Sequence, residues 1–284
     1  MLKDHKFFSV CGAPKAGTTA LHRYLDAHPE VCMSDPKETD FFQHNYHRGW
    51  DWFESCFDPH GHERIFGEAS PGNMIHPDAP ARIAKHRPDA RLIFVLRNPI
   101  ERAYSQYYYG VMRGTDTPHK SFSALIRDSE DQWGRRVLAL GMYHTQLQRF
   151  EQYFGRDQLL VGLYEDLRAD NQAFVRQILN FLAVDSSAGM LDVEENVNET
   201  RYPRHTGLLR TAYAVWNPIK HLLPASAVDA MFGMRSRIRD MFFQSGTQEK
   251  PPMDPDDRAF LRNLYAEPNA QLEAWLGKDL SHWR

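Results

Sequence analysis

The sequence predicts an α/β fold of the P-loop-containing nucleotide-binding kind, with a central, mostly parallel sheet flanked by helices. Three observations predict it. Residues 7–11, 91–97 and 159–163 are short apolar runs of the sort buried on both faces in parallel sheets. Segments with helical spacing separate these runs, and strands alternating with helices build a parallel sheet. A glycine-bounded loop, Gly12-Ala13-Pro14-Lys15-Ala16-Gly17, joins the first run to the first helix. In that context backbone N–H groups and a helix N-terminus hold a phosphate.

The elements follow in order. Phe7-Phe8-Ser9-Val10-Cys11 reads as a buried strand, and Ala20, Leu21, Tyr24 and Leu25 recur at helical spacing after Thr18. The second strand ends in Arg97. Asn98 then offers a capping oxygen, and Pro99 suits a first helical position. That helix is expected to reach about Arg113, ahead of Gly114 and Pro118. An amphipathic segment over 137–153 precedes the third strand, and 172–183 reads as a further helix. Residues 185–205 are polar and aperiodic; Asn196, Asn198, Arg201, Pro203 and Arg204 suggest an ordered loop. Arg258 to Tyr265 and Gln271 to Leu276 suit one or two terminal helices. With no linker and no internal repeat, residues 1–284 are read as one domain.

Composition narrows the class. Hydrophobic residues at 42%, charged residues at 25%, and 17 Gly beside 17 Pro exclude collagenous, disordered and low-complexity chains. Lys and Arg number 34 against 37 Asp and Glu, a net charge of −3, which argues against broad binding to nucleic acid or anionic membrane. A local basic pocket for a small anion remains open. Cys11, Cys32 and Cys56 are odd in number, lack metal-ligand spacing and are too few for a disulfide framework, so a reducing cytoplasm is expected. No apolar run of about 18 residues and no signal-peptide pattern occurs, which predicts neither a membrane span nor export.

The loop after the first strand has the glycine spacing of a nucleoside-triphosphate P-loop. Its lysine, however, is Lys15, between the glycines, and Thr18 stands at the usual lysine position. A lysine placed there can touch an oxygen bridging two anionic groups, while the Thr18 and Thr19 hydroxyls donate to the same phosphate. A glycine-rich turn with a solvated lysine is the alternative. Arg97 and Ser105 form a second constellation near the carboxyl ends of the strands, where α/β folds bind ligands. A guanidinium fork plus a hydroxyl suits a phosphate. The alternative is a strand-end salt bridge and a solvated serine. Arg97 stands where an ATPase would place its Mg²⁺-holding aspartate, and 159–166 resembles such a run only weakly.

In Pro36-Lys37-Glu38-Thr39-Asp40-Phe41-Phe42, a carboxylate near an anionic cofactor suits a general base. Glu38 and Asp40 would share one side of an extended segment, so spacing alone does not choose between them, and a surface turn is the alternative. Glu68-Ala69-Ser70-Pro71-Gly72-Asn73 admits a substrate-facing loop, the 14 histidines include no metal-ligand pair, and Tyr107-Tyr108-Tyr109 reads as helix packing. No catalytic role is assigned to these.

Pro14 to Leu21 together with Arg97 to Ser105 resembles the two cofactor-binding motifs of sulfotransferases that use 3′-phosphoadenosine 5′-phosphosulfate (PAPS). Asn45-Tyr-His-Arg-Gly-Trp-Asp-Trp-Phe53 looks like the Asn-Tyr-His-x-Gly-x-x-Trp-Tyr segment of the domains that modify heparan sulfate, and it follows Glu38-Thr-Asp-Phe-Phe at the expected place. The likeness continues through Gly141-Met-Tyr143, 159–167 and 253–272, covering nearly the whole chain. It implies that Pro14, Lys15, Ala16, Gly17, Thr18 and Thr19 hold the 5′-phosphosulfate, with Lys15 assisting the leaving phosphate. By the same resemblance Arg97 and Ser105 hold the 3′-phosphate, and Glu38 is the catalytic base.

Some matches fail. Ala69 stands where the heparan enzymes carry a lysine, 241–250 is less basic than their 3′-phosphate loop, with Lys250 as a substitute, and their membrane anchor and nearby cysteine pair are missing. The implied activity is sulfuryl transfer from PAPS to an acceptor hydroxyl or amine, with a carbohydrate as the first expectation and no metal required. A small-molecule or lipid acceptor, a Mg²⁺-dependent P-loop kinase and a non-catalytic nucleotide-binding protein are the alternatives. Oligomeric state is not legible.

Overall fold

The computed structural model describes residues 2–113, 120–187 and 251–283. Among these residues the apolar runs form a five-stranded sheet of β1 (Lys6–Gly12), β2 (Val31–Met33), β3 (Ile65–Glu68), β4 (Arg91–Leu96) and β5 (Leu159–Leu163). The strand order is β2-β3-β1-β4-β5, and every neighbouring pair is parallel. Phe8 of β1 lies opposite Gly67 on one side and Arg91 on the other. Burial of β1, β3 and β4 on both faces explains why their sequences are nearly unbroken in hydrophobicity.

The described helices are α1 (Thr18–Asp26), α2 (Trp50–Glu54), α3 (Ala79–His86), α4 (Pro99–Arg113), α5 (Phe122–Arg127), α6 (Gln132–Ala139), α7 (Tyr143–Glu151), α8 (Tyr164–Ala169), α9 (Asn171–Leu182) and α10 (Pro255–Leu276). None is long and apolar enough to cross a membrane. The chain divides into two compact units, one of residues 1–102, 140–195 and 264–284, the other of 103–139 and 196–263.

The first unit contains the whole sheet and the main core. Phe8, Val10, Leu92, Phe94 and Leu96 are fully buried, and the Phe94 ring meets Phe150 edge-on at 4.9 Å. Each such side chain contributes about 1.5–3 kcal/mol relative to exposure. In the second unit, Ser121 caps α5 by accepting from the Ala124 amide at 3.1 Å, and Lys120 bridges Asp128 and Asp131 at 2.8 and 2.6 Å. Tyr107 and Tyr108 are buried, the Tyr107 ring 5.3 Å from Phe122, which bears out helix packing for these two of the triplet, while Tyr109 is partly exposed.

The amphipathic 137–153 segment spans the end of α6 and the whole of α7. The break falls at Leu140-Gly141-Met142, where a Cβ on Gly141 would come within 2.7 Å of the Tyr265 ring. The terminal region is one helix that runs through Pro268, followed by a turn, Ser281–Trp283, that buries Trp283. Beyond Ser187 the expected 185–205 loop lies outside the described residues, as does 241–250.

Candidate active site

After β1 the chain moves toward β2, and after β4 it moves toward β5. The carboxyl ends of β1 and β4 therefore flank the topological switch point, the place where open α/β sheets bind ligands. The glycine-bounded loop leaves β1 there, and its first amide, on Ala13, donates to the Val95 carbonyl of β4 at 2.7 Å. Ala16 is buried, whereas Pro14, Lys15, Gly17 and Thr19 are partly exposed. Lys15 and Gly17 both adopt left-handed backbone, with φ of 68° and 84°. Gly17 needs the absence of a side chain twice over, since a Cβ would also lie 2.8 Å from Leu167. Lys15 has no such excuse, and a side chain held in that region costs on the order of 1 kcal/mol, a form of strain that clusters at ligand sites.

Gly17 is also the N-cap of α1 and makes no side-chain cap hydrogen bond. The first-turn amides of Thr18 and Thr19 thus lack intrahelical acceptors, and the helix dipole adds partial positive charge to theirs. Beside Lys15, that arrangement favours an anion.

Arg97 follows β4 and is brought to the same place. Its Nη1 donates to the Lys15 carbonyl at 3.0 Å, and its guanidinium lies 4.8 Å from the centre of the Tyr164 ring. The Tyr143 hydroxyl donates to the Arg97 carbonyl at 2.8 Å, and burial holds that phenol above its ordinary range. Asn98 caps α4 as its sequence predicts, accepting from the Ile100 amide at 3.0 Å. The structure therefore gathers residues 13–19 and Arg97 at one point. Ser105 is partly exposed on α4 and belongs to the second unit.

The 36–42 segment departs from the extended form expected of it. Asp40 has φ 48°, so the period-two argument that put Glu38 and Asp40 on one side fails at the second carboxylate. Their environments differ. The Glu38 side chain is 53% exposed and pairs with Lys37 Nζ at 2.9 Å. Asp40 is half-buried and accepts from Gln43 Nε2 at 3.0 Å, while burial and then the Glu38 charge raise its pKa. Asn45, from the aromatic-rich segment, donates to the Thr39 carbonyl at 2.7 Å, and the Trp50 ring stacks on His86 at 4.4 Å.

Sequence reasoning missed what lies beneath that segment. Glu68, the last residue of β3, is fully buried rather than part of a loop facing substrate, as are Ser70 and Asn73. Its Oε1 accepts from Ser9 Oγ and from Asn73 Nδ2 at 2.8 Å; its Oε2 accepts from Ser70 Oγ and from Thr39 Oγ1 at 3.3 Å. Burial pushes the carboxyl up to about 7, against the pull of the Ser70, Ser9 and Thr39 hydroxyls, and the nearby Asp40 charge adds to the rise. The available signal was Ser9, a hydroxyl inside an otherwise apolar strand.

A family model described as "Sulfotransferase domain" matches residues 6–204. Over 97% of its length the chain is 29% identical to bifunctional heparan sulfate N-deacetylase/N-sulfotransferase 3 of Homo sapiens, and 30% identical to the protein of that name from Mus musculus. It spans 31% of the length of each of those relatives. The crystal structure of a sulfotransferase from Alicyclobacillus acidocaldarius is similar with a TM-score of 0.71 and 26% identity, covering 99% of this chain and 98% of that one.

Proposed function

The chain belongs to the sulfotransferase family and is an enzyme of that family, and from this premise we propose that it transfers a sulfuryl group from PAPS to an acceptor hydroxyl or amine on a carbohydrate. The observation that carries the reading is the meeting of Lys15, the uncapped N-terminus of α1 and Arg97 at the switch point between β1 and β4. Residues 1–284 are taken as one sulfotransferase domain.

In this reading Pro14 to Thr19 hold the 5′-phosphosulfate with backbone amides and the Thr18 and Thr19 hydroxyls. Lys15 neutralises charge on the oxygen that leaves with the 5′-phosphate, the kind of electrostatic stabilisation that dominates group transfer. Arg97 spends one N–H on the Lys15 carbonyl and presents the rest of its fork to the 3′-phosphate, with the Ser105 hydroxyl as second donor. Glu38, the more exposed of the two carboxylates in its segment, takes the acceptor proton as the acceptor atom bonds to sulfur and the sulfur–oxygen bond to the 5′-phosphate breaks. Adenosine 3′,5′-bisphosphate leaves. The carbohydrate acceptor is supported by the relatives named as heparan sulfate N-sulfotransferases, of whose length this chain spans about a third. Ala69, where the resemblance calls for lysine, is buried and supplies no charge to an acceptor.

The test is label transfer from radiosulfur-labelled PAPS to N-deacetylated heparosan, alongside a simple phenol. Labelled polysaccharide supports the reading; label on the phenol alone moves the acceptor to small molecules, and transfer to neither contradicts the carbohydrate assignment.

A further inference from the structure

We propose that Glu68 is a positioning residue for sulfuryl transfer, fixing the segment that carries Glu38 by dictating which way the Thr39 and Ser70 hydroxyls point. The proposal rests on the reading of Glu38 as the base.

A carboxylate is costly to bury unless its oxygens are hydrogen-bonded, and Glu68 is fully buried with four side-chain donors on it. Those donors tie together separate parts of the site. Ser9 belongs to β1, three residues ahead of Gly12; Ser70 and Asn73 follow β3; Thr39 is the residue after Glu38. The segment is also held by its backbone, since the Ala69 amide donates to the Lys37 carbonyl at 3.4 Å.

The polarity of the hydroxyls is the informative part. Each has a single proton, and Glu68 Oε2 takes both. Their oxygens are then left to accept, and they do: Ser70 Oγ from the Asp40 amide at 3.1 Å, and Thr39 Oγ1 from the Phe41 amide at 3.3 Å. These two amides lie on either side of the left-handed turn at Asp40. Glu68 therefore helps hold in place the left-handed conformation at Asp40, one that is less favourable for a residue with a Cβ than for glycine.

Glutamine at position 68 would have the same shape and the wrong polarity. Asn73 Nδ2 can only donate, so the glutamine oxygen must stay on the Ser9 and Asn73 side, and its NH₂ must face Thr39 and Ser70. Those hydroxyls would then be asked to accept from glutamine in competition with the Asp40 and Phe41 amides.

The experiment is a double-mutant cycle of Glu68→Gln and Glu38→Gln, with PAPS and N-deacetylated heparosan as substrates. Glu68→Gln is expected to lower kcat about 10-fold or more with the KM for PAPS within about 2-fold of wild type, since misplacing a catalytic group costs turnover rather than donor binding. In the Glu38→Gln background the same change is expected to cost nothing further. A normal kcat in Glu68→Gln, or a loss that persists undiminished without Glu38, overturns the proposal. Near-normal turnover in Glu38→Gln overturns instead the assignment of the base. Amide hydrogen exchange needs no acceptor: exchange at Asp40 and Phe41 is expected to quicken about 10-fold in Glu68→Gln and also in Thr39→Val, which removes one hydroxyl at nearly constant volume. Unchanged exchange at both amides in the two variants contradicts the proposal.

Discussion

Lys15 combines a strained backbone with the charge that the proposed chemistry needs most. Replacing it with glycine relieves the left-handed conformation and deletes the ammonium, so Lys15→Gly is expected to be at least as stable as wild type to urea while losing about 100-fold or more in turnover. Parallel losses of stability and activity would remove the idea that this strain serves the site. Glu38→Gln is expected to lose turnover on a similar scale, about 100-fold, yet to unfold within about 0.5 kcal/mol of wild type, because its side chain is about half exposed and, among the described residues, pairs with Lys37. Glu68 behaves oppositely. Its pKa rises from 4.5 to about 7 on folding, so between those values the folded chain keeps a proton that the unfolded chain has lost. Its contribution to stability is full below pH 4.5 and falls by about 3 kcal/mol as pH climbs to about 7. Cys11, Cys56 and Asp40 are titratable groups that interact with it; burial raises the pKa of both thiols and keeps them neutral, and Asp40, also raised, adds a fall of the same sign at lower pH. Urea unfolding at pH 5 and pH 7.5 should show the decline in wild type and much less of it in Glu68→Gln; equal declines would contradict a titrating Glu68.

Among the elements, the unit of β1, loop and α1 shows how local punctuation fixes a site. Gly17→Ala would place a methyl group 2.8 Å from Leu167 in backbone that disfavours it, and a loss of at least about 1 kcal/mol is expected in equilibrium unfolding. A neutral substitution would mean that the loop readily relaxes. This unit was legible because strand hydrophobicity, glycine spacing and helix periodicity all agree within twenty residues. The β4–Asn98–α4 junction was legible for the same reason. β2 and β3 were not, since three and four residues are too few for a pattern, and β3 contains Gly67 and ends in a charged residue. Val137, Leu140, Leu147 and Phe150 keep an apolar pattern across a helix break, so periodicity showed the amphipathic segment but not its division. The relation between Glu38 and Asp40 was hidden by the left-handed turn at Asp40, which depends on Ser70, thirty residues away in sequence. Such long-range polar contacts have no periodicity to read, and the Glu68 network is built from them.

At the scale of the molecule, a chain of net charge −3 places Lys15, Arg97 and a helix N-terminus together at the carboxyl ends of the central strands. In the proposed reading this local concentration of positive charge in an acidic chain favours a small polyanion. The chain belongs to the sulfotransferase family, and in the proposed reading the β1/β4 switch point of its parallel sheet is the binding crevice for that chemistry. The proposed function requires that the crevice take a 3′-phosphorylated adenine nucleotide. Its most direct test is thermal stabilisation of the full chain by adenosine 3′,5′-bisphosphate, compared with ADP and with Mg²⁺-ATP. Ligand at 100 times its dissociation constant adds about 2.7 kcal/mol to stability. That gain is expected from the 3′,5′-bisphosphate and little from ADP at equal concentration. Stabilisation by Mg²⁺-ATP alone would contradict it.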